Sequence, residues 1–300
     1  MLLRIPLPSE SRAGYLASLV SVMCLLATLA LGGCSPLAAY NALIVTDDGA
    51  VLAAANVAYG SHPRQKVDVY VPTARADSAP VVLVLYGGSW NSGRKEDYSF
   101  LGKALSSQGF VTVVADYRLV PEVRFPAFLQ DSAAAAAWTY QNASRFGGDP
   151  GKLFLFGHSA GAYNAVMIAL DNRYLKSAGL DPSVIRGVAA LAGPYDFLPL
   201  DLDVTRAAFG NAPDQAATQP IHVVTAKAPP MLLATGADDT TVYPRNTYGL
   251  AAKLRHFGTA VSVKSYSDVS HVGILLALSR PFRREAPVLR DVTQFIGQGG

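Results

Sequence analysis

The chain contains few cysteines and few charged residues. Only Cys24 and Cys34 occur among its 300 residues, so one chain can form neither a disulfide framework nor a cysteine metal site. Charged residues make up 16% and hydrophobic residues 50%, which excludes a disordered chain. The net charge of +3 comes from scattered basic residues and gives no electrostatic reason to expect a nucleic-acid partner. The composition therefore predicts a globular protein with a hydrophobic core.

Charge is missing altogether from one stretch near the N-terminus. Residues 13–46 contain no Asp, Glu, Lys or Arg, and Leu16–Leu31, which follows Arg4 and Arg12, is almost wholly apolar. A basic start followed by an apolar stretch and small residues is typical of an export signal. Elsewhere no apolar run approaches the roughly 18 residues that a membrane-spanning helix needs. Removal of residues 1–33 leaves 267 residues, enough for one large domain or two small ones.

The end of the apolar stretch carries a candidate modification site. Leu31-Gly32-Gly33-Cys34 resembles a bacterial lipobox, in which the cysteine is lipidated and becomes the first mature residue. We therefore expect an exported protein of the cell envelope, attached to a membrane through a lipid on Cys34. Ser35 resembles the sorting signal for the outer membrane if the host is Gram-negative. An ordinary signal peptide cut nearby and an uncleaved anchor helix are the alternatives.

Strand-like and helix-like segments alternate from about residue 67 onward. The predicted strands are Val67–Val71, Val81–Leu85, Val111–Ala115, Leu153–Phe156, Val188–Leu191, Met231–Ala234 and Val261–Tyr266. The predicted helices lie near 98–108, 127–144, 160–170 and 244–257. This alternation predicts an α/β fold with a mostly parallel central sheet and helices on both faces. Functional residues are then expected in the loops at the carboxyl ends of the strands.

Two regions interrupt this alternation. Residues 34–64 are small and polar for most of their length and are expected to form a tether that leads to a short first strand, before a catalytic domain over 65–297. Residues 194–229 contain several prolines and no clear strand. This second region is expected to form either a lid or wall over a site, or an irregular surface crossing.

A candidate nucleophile lies in Gly157-His158-Ser159-Ala160-Gly161, which has the form G-x-S-x-G. The pattern alone is weak, but here it directly follows the apolar run Leu153–Phe156 and begins a helix-like segment. Such a sharp strand-to-helix turn needs small residues on both sides of the serine, so that its hydroxyl stands clear of the backbone. The context favours Ser159 as a nucleophile over an ordinary turn with a capping serine.

A serine hydroxyl needs a base, and the chain offers five histidines: His62, His158, His222, His256 and His271. In this kind of site the order along the chain is serine, then acid, then histidine, each on a loop after a strand. His271 follows the last predicted strand by five residues, and the other four histidines lie before the nucleophile, in its turn, before a strand or in a helix. His271 is therefore the predicted base.

The acid that orients this histidine is expected after the Met231 strand. Asp238 and Asp239 are adjacent there, and their position does not distinguish between them. Asp268, close to His271 in sequence, is a third candidate.

Backbone amides are expected to bind the oxyanion that acyl transfer creates. One is the amide of Ala160, directly after the serine. The others are expected from Gly88 and Ser89 in the Gly-rich turn Tyr86-Gly87-Gly88-Ser89-Trp90, which follows the strand Val81–Leu85.

Taken together, these motifs resemble the α/β-hydrolase superfamily over roughly residues 65–297, within the branch of BD-FAE-like and hormone-sensitive-lipase-like carboxylesterases. The resemblance also includes Asp116-Tyr117-Arg118-Leu119, Pro121-Glu122, Phe125-Pro126-Ala127, Phe146-Gly147-Gly148-Asp149-Pro150 and Tyr195-Asp196. The family's G-x-x-D-x-x-V pattern coincides with Gly236, Asp239 and Val242, which favours Asp239 as the acid. Many relatives have His-Gly-Gly where this chain has Tyr86-Gly87-Gly88, and the family histidine is thought to brace the oxyanion loop.

The resemblance implies a serine hydrolase that cleaves carboxylic esters through Ser159, His271 and Asp239, with no metal and no organic cofactor. A small-molecule ester is the expected substrate. An arylformamidase-type amide hydrolase with the same three residues is the nearer alternative. A catalytically silent lipoprotein that binds a ligand is the more distant one.

Overall fold

The structure is a computed structural model that describes residues 36–74, 78–226 and 228–300. The predicted signal peptide, residues 1–33, and Cys34 lie outside the described residues, so both stay predictions. The chain divides into two compact units, 1–44 and 45–300. The described part of the first unit is one helix, α1 (Pro36–Leu43). Within the described residues, no helix combines the length and apolar character that a membrane span requires.

One eight-stranded sheet organises the second unit. Its strands are β1 (Ala50–Ala58), β2 (Lys66–Pro72), β3 (Ala79–Leu85), β4 (Val111–Ala115), β5 (Gly148–His158), β6 (Ile185–Leu191), β7 (Met231–Gly236) and β8 (Val261–Tyr266). They are arranged in the order β1-β2-β4-β3-β5-β6-β7-β8. The pairs β1/β2 and β2/β4 are antiparallel and all the others are parallel. The predicted mostly parallel α/β sheet is confirmed.

The burial of each strand follows its sequence. The residues of β3 from Val81 to Leu85 are fully buried, as a continuous apolar run between two layers of helices should be. The edge strand β8 instead mixes apolar and polar positions and remains half-exposed for most of its length. All seven predicted strands occur, and the structure extends five of them by two to seven residues, most of all β5, which has eleven residues.

Nine α-helices lie in the described residues. After α1 they are α2 (Ser99–Ser106), α3 (Ala127–Asn142), α4 (Ala160–Leu170), α5 (Asn172–Ser177), α6 (Asp203–Phe209), α7 (Arg245–His256), α8 (His271–Leu276) and α9 (Val288–Gly297). The four predicted helices correspond to α2, α3, α4 and α7. The other five helices, α1, α5, α6, α8 and α9, were not predicted from the sequence. Of these, α5, α6 and α8 have six or seven residues and span less than two turns of the periodicity that identifies a helix, whereas α9 has ten residues.

The segment expected to be a tether is more ordered than the sequence suggested. Strand β1 has nine residues, mostly alanine and valine, and pairs antiparallel with β2 at the sheet edge. Before it, both Asp47 carboxylate oxygens accept hydrogen bonds from Arg283, at 2.9 and 2.8 Å. The compact unit accordingly begins at Val45, about twenty residues before the expected start at 65. The sequence of β1 does not alternate between apolar and polar residues, because small apolar residues occupy both of its faces. It therefore lacks the pattern by which a strand is predicted.

The proline-rich segment 194–229 contains no strand among its described residues. It forms α6 and two short 3-10 turns, Ala216–Thr218 and Pro220–His222. Phe209 at the end of α6 is fully buried, and the Tyr163 hydroxyl of α4 donates to the carbonyl of Thr218 at 2.7 Å. This segment is packed against the domain, and the lid interpretation stays a prediction.

The carboxyl ends of β3 and β5 meet the start of α4 at very short range. A Cβ placed on Gly161, the second residue of α4, would lie 2.0 Å from the carbonyl oxygen of Leu85. Only glycine fits there, because the contacting atom belongs to the backbone of a central strand and cannot move aside.

Replacing Gly161 with alanine should therefore destabilise the protein by about 3 kcal/mol through steric overlap in the core. The measurement is the free energy of unfolding in urea. Gly249→Ala in α7 is the matched control, since its added Cβ would meet only Ile221 Cδ1, at 3.6 Å. That variant should gain about 0.5–1 kcal/mol from the helix propensity of alanine. Equal effects of the two substitutions would contradict the steric account.

Candidate active site

The predicted site residues lie in the turns and at the starts of the helices that follow the carboxyl ends of the strands. Ser159 lies between β5 and α4, with φ 55° and ψ −123°. A non-glycine residue rarely adopts a positive φ, and here the hydrogen bond from the Ser159 amide to the carbonyl of Leu191, 2.9 Å, holds the turn in that form. The hydroxyl of Ser159 is thereby presented at the top of the sheet.

His271 lies within hydrogen-bond distance of this serine. Its Nε2 is 2.9 Å from Ser159 Oγ. Sequence analysis expected His271 in a loop, and this detail was wrong, because His271 is the first residue of α8. Ser270 caps that helix by accepting a hydrogen bond from the amide of Gly273 at 3.1 Å. The short helix gives the imidazole a more defined position than a loop would.

Asp239 completes a chain of hydrogen bonds. Its Oδ2 lies 2.8 Å from His271 Nδ1, and its Oδ1 accepts from the amides of Thr241 and Val242 at 2.9 and 2.8 Å. The side chain is fully buried. Asp238 and Asp268, the other two candidates, are exposed and make no such contact in the described structure. The amide of Asp238 instead donates to the carbonyl of Val269 at 3.1 Å, joining the acid loop to the loop before His271.

The hydrogen bonds determine where the imidazole of His271 carries its proton. An ionised carboxylate can only accept, so the nitrogen that faces Asp239, Nδ1, must be the donor. In the neutral ring this leaves the lone pair on Nε2, pointing at the Ser159 hydroxyl. The arrangement can therefore remove a proton from the serine.

The predicted oxyanion amides lie close to this serine turn. A Cβ on Gly87 would be 3.0 Å from Ser159 Cβ, so the Gly-rich turn and the nucleophile turn are in contact. The carbonyl of Gly88 accepts from the amides of Asn91 and Ser92 at 3.1 and 3.0 Å. The amides of Gly88 and Ser89 donate to no acceptor within residues 36–74, 78–226 and 228–300. Ala160 begins α4, where a helix has no internal acceptor for its first amides. Three amides are thus free to bind an anion.

An aromatic cluster packs behind the Gly-rich turn. Trp90 is buried, and its Nε1 donates to Asn164 Oδ1 at 3.1 Å. Its ring contacts Phe209 and Phe197 of the segment 194–229, with centroid distances of 4.7 and 6.0 Å. Aromatic side chains of this segment therefore pack against Trp90, the residue that follows Ser89.

His158 is a site residue that sequence analysis did not identify. This buried side chain precedes the nucleophile, and its Nε2 lies 3.0 Å from the carbonyl oxygen of His271. Because a carbonyl only accepts, Nε2 carries the proton and Nδ1 accepts from the Tyr98 hydroxyl, 2.9 Å away. The same hydroxyl accepts from the amide of Gly87 at 3.0 Å. A continuous chain of hydrogen bonds thus links the Gly-rich turn to the backbone of His271.

This arrangement requires neutral His158. Burial, reinforced by the nearby His271, lowers the pKa of His158 to about 3, although the His271 carbonyl and the Asp239 carboxylate act in the opposite direction.

In the described parts of the chain, no three His, Cys, Asp or Glu side chains are placed to hold a metal ion. The Ser159 hydroxyl and the His271 imidazole, 2.9 Å apart, can carry out proton transfer and nucleophilic attack.

The low pKa of His158 predicts how stability depends on pH. The unfolded chain takes up a proton near pH 6.5 and the folded protein does so only near pH 3, so stability is complete above pH 6.5 and falls as the pH drops towards 3. His158→Gln should reduce the slope of unfolding free energy against pH by up to about 1.4 kcal/mol per pH unit in this range. Urea unfolding between pH 6.5 and 4.5 measures the slope. The exposed His256, changed to Gln, should retain the wild-type slope, and equal slopes for both variants would contradict the assignment.

Several known proteins are similar to this chain in sequence. The BD-FAE family matches residues 67–254. A probable isoprenylcysteine alpha-carbonyl methylesterase of Arabidopsis thaliana is 26% identical over 74% of this chain and 51% of its own length. A kynurenine formamidase of Salmo salar is 33% identical over 48% of this chain and 47% of its own. The chain spans about half the length of these curated relatives or less.

The solved structures reveal the same architecture. Esterase B from Lactobacillus rhamnosis superposes with a TM-score of 0.76 at 20% identity, covering 96% of each chain. At that level of identity the likeness establishes the fold, which is that of the α/β-hydrolases. Because the family match includes more than half of the chain and the nucleophile turn lies inside it, the chain belongs to the BD-FAE family.

Proposed function

We propose that this protein is a serine hydrolase that cleaves carboxylic esters by way of an acyl-enzyme. The observation that carries the proposal is the continuous hydrogen-bonded series from Ser159 Oγ through His271 to Asp239, with distances of 2.9 and 2.8 Å. A serine at a strained strand-to-helix turn, a histidine with its lone pair towards that serine and a buried carboxylate behind the histidine are the parts that acyl transfer needs.

In the first half of the reaction, Ser159 Oγ forms a bond to the ester carbonyl carbon while its proton passes to His271 Nε2. The resulting imidazolium is stabilised by the Asp239 carboxylate, which stays ionised and keeps the ring in place. When the tetrahedral intermediate collapses, the bond to the alcohol oxygen breaks and His271 returns the proton to that oxygen. Ser159 then carries the acyl group.

In the second half, water repeats these steps. His271 removes a proton from the water as its oxygen attacks the acyl carbon, and then protonates Ser159 Oγ as the carboxylic acid leaves. The amides of Gly88, Ser89 and Ala160 donate to the oxyanion in both halves. Such preorganised donors contribute strongly, since loss of one costs about 10²–10³ in kcat in related chemistry.

Two substrate classes suit these residues. The methylesterase name of one relative and the esterase name of the structural neighbour support esters. The formamidase name of another relative supports an N-formyl aryl amide as the second candidate. We favour esters because an alkoxide leaving group needs less proton donation than an amine does.

The two adjacent aspartates give a matched test of the proposal. Asp239→Asn should lower kcat by about 10³- to 10⁴-fold, because a carboxamide can donate to Nδ1 and so favours the wrong tautomer of His271. Asp238→Asn should remain within about twofold of the wild type, since that exposed side chain touches none of the reacting groups. Turnover is measured on p-nitrophenyl butyrate and on N-formylaniline, and the wild type should prefer the ester.

Ser159→Ala provides the zero-activity control and should also lose labelling by a fluorophosphonate probe. Retained turnover in Ser159→Ala would overturn the serine mechanism. Equal losses in the two aspartate variants would overturn the role of Asp239. If the formamide is turned over faster than the ester, the proposed substrate class changes from esters to amides, and the proposed serine mechanism still holds.

For the location of the protein, we propose export and attachment to a bacterial cell-envelope membrane through a lipid on Cys34. The support is the charge-free stretch 13–46 and the lipobox-like Leu31-Gly32-Gly33-Cys34. Cys34→Ala should prevent lipidation and slow removal of the signal, so that the protein migrates as a larger, unprocessed precursor. The measurement is fractionation with detection by immunoblot, and Cys24→Ala is the control, since Cys24 lies within the segment to be removed. Unchanged membrane association together with unchanged mobility of Cys34→Ala would contradict the lipid anchor.

A further inference from the structure

Tyr86, which stands where many relatives have histidine, is held by an arginine from outside the family match. Its ring is fully buried, and its hydroxyl accepts a hydrogen bond from Arg64 Nη2 at 2.6 Å. Arg64 precedes the matched residues 67–254. In sequence it belongs to the segment expected to be a tether.

The same guanidinium contacts the other end of the Gly-rich turn. We call residues 86–93 the oxyanion turn. Arg64 Nη2 donates to the carbonyl of Gly93 at 2.7 Å, and Arg64 Nε donates to the carbonyl of Tyr117 at 3.0 Å. The Arg64 side chain therefore hydrogen-bonds to Tyr86 and Gly93, the first and last residues of the oxyanion turn. It also hydrogen-bonds to Tyr117, which lies in the loop after β4.

These contacts act on a turn with little space to adjust. Gly93 has φ 99°, and a Cβ on it would lie 2.8 Å from the Gly87 carbonyl oxygen and 2.9 Å from the Tyr86 ring. Tyr117 stacks on Tyr86 with a centroid distance of 4.6 Å and donates its hydroxyl to the Tyr86 carbonyl at 2.8 Å. The ends of the oxyanion turn are thus closed on each other, and Arg64 holds both.

The chemistry of arginine explains why this residue suits the position. Its planar fork presents several donors in fixed directions, and here three backbone or hydroxyl oxygens receive them. Arg64 Nη2 also lies 3.8 Å from Asp116 Oδ1, which offsets part of the cost of the half-buried charge. A lysine in its place would offer one nitrogen and could not reach all three acceptors at once.

We propose that Arg64 is a positioning residue for the oxyanion amides, acting through Tyr86 and Gly93 at the two ends of the oxyanion turn. This inference rests on the proposed function. Arg64 would take over the bracing that the family histidine is thought to provide, and it would do so from the N-terminal side of the domain. Because it orients the amides of Gly88 and Ser89 without touching substrate, its effect should fall on the transition state.

The test measures kcat and KM separately on p-nitrophenyl butyrate. Arg64→Gln should lower kcat about 10- to 100-fold and leave KM within about threefold, since amides that are displaced by a fraction of an ångström stabilise the oxyanion less well. Arg64→Lys should recover less than half of the loss. Arg145→Gln is the matched control. Arg145 is an exposed arginine that follows α3 and donates a hydrogen bond to Asn142, so its replacement should leave kcat at the wild-type value.

Tyr86→Phe is the second variant and keeps the buried ring. It removes the acceptor for one of the three contacts and should cause a smaller loss of kcat than Arg64→Gln. The double variant should be no worse than Arg64→Gln alone, because both changes act on the same turn. Additive losses on a logarithmic scale would overturn the pathway through Tyr86.

The outcomes separate this inference from the proposed function. If Ser159→Ala is inactive and Arg64→Gln keeps the wild-type kcat, the positioning role fails while the serine mechanism stands. If Ser159→Ala remains active, the proposed function itself fails. If Arg64→Gln yields no folded protein by circular dichroism, Tyr86→Phe decides, and an unchanged kcat in that variant overturns the positioning role.

Discussion

The structure depends on the close backbone contact at the carboxyl ends of β3 and β5, where the start of α4 packs against β3. Strand β3 pairs with β5 so that Leu85 is opposite Gly157, and the first turn of α4 lies directly on the Leu85 carbonyl. This close approach brings together the two turns that leave β3 and β5, one with the free amides and one with the serine. Packing at backbone contact permits almost no adjustment, so it fixes the distance from Ser159 to the amides of Gly88 and Ser89.

His271 and His158 have the same side chain but different surroundings, and these surroundings give them different roles. His271 faces a buried carboxylate and a hydroxyl, so its ring can accept a proton and be stabilised when charged. His158 faces a carbonyl and a tyrosine, and burial lowers its pKa to about 3, so it remains neutral and serves as a hydrogen-bonding link. The two rings are 5.0 Å apart, and a charge on one opposes a charge on the other. A neutral His158 therefore exerts no such repulsion on His271.

Much of the fold was predictable because its buried strands are continuous apolar runs bounded by turn residues. The predicted segments Val111–Ala115 and Val261–Tyr266 have the same bounds as β4 and β8 in the structure. Short elements escaped prediction, since α5, α6 and α8 are held by tertiary contacts and their six or seven residues contain too little periodicity. Strand β1 was not among the seven predicted strands, because its alanines and valines lie on an exposed edge and do not alternate with polar residues.

The amino-acid sequence by itself determined the alternation of strands and helices, the G-x-S-x-G turn around Ser159 and the order of serine, acid and histidine, because these are local or ordered along the chain. Position along the chain left Asp238 and Asp239 equivalent, and only the resemblance to a family favoured Asp239. The tertiary structure buries Asp239 against His271 and leaves Asp238 exposed. It alone also brings Tyr98 to His158, sixty residues away, and Arg64 to Tyr86. Hydrogen bonds between distant segments have no period or spacing in the sequence, since they form only where the folded backbone places a donor beside an acceptor.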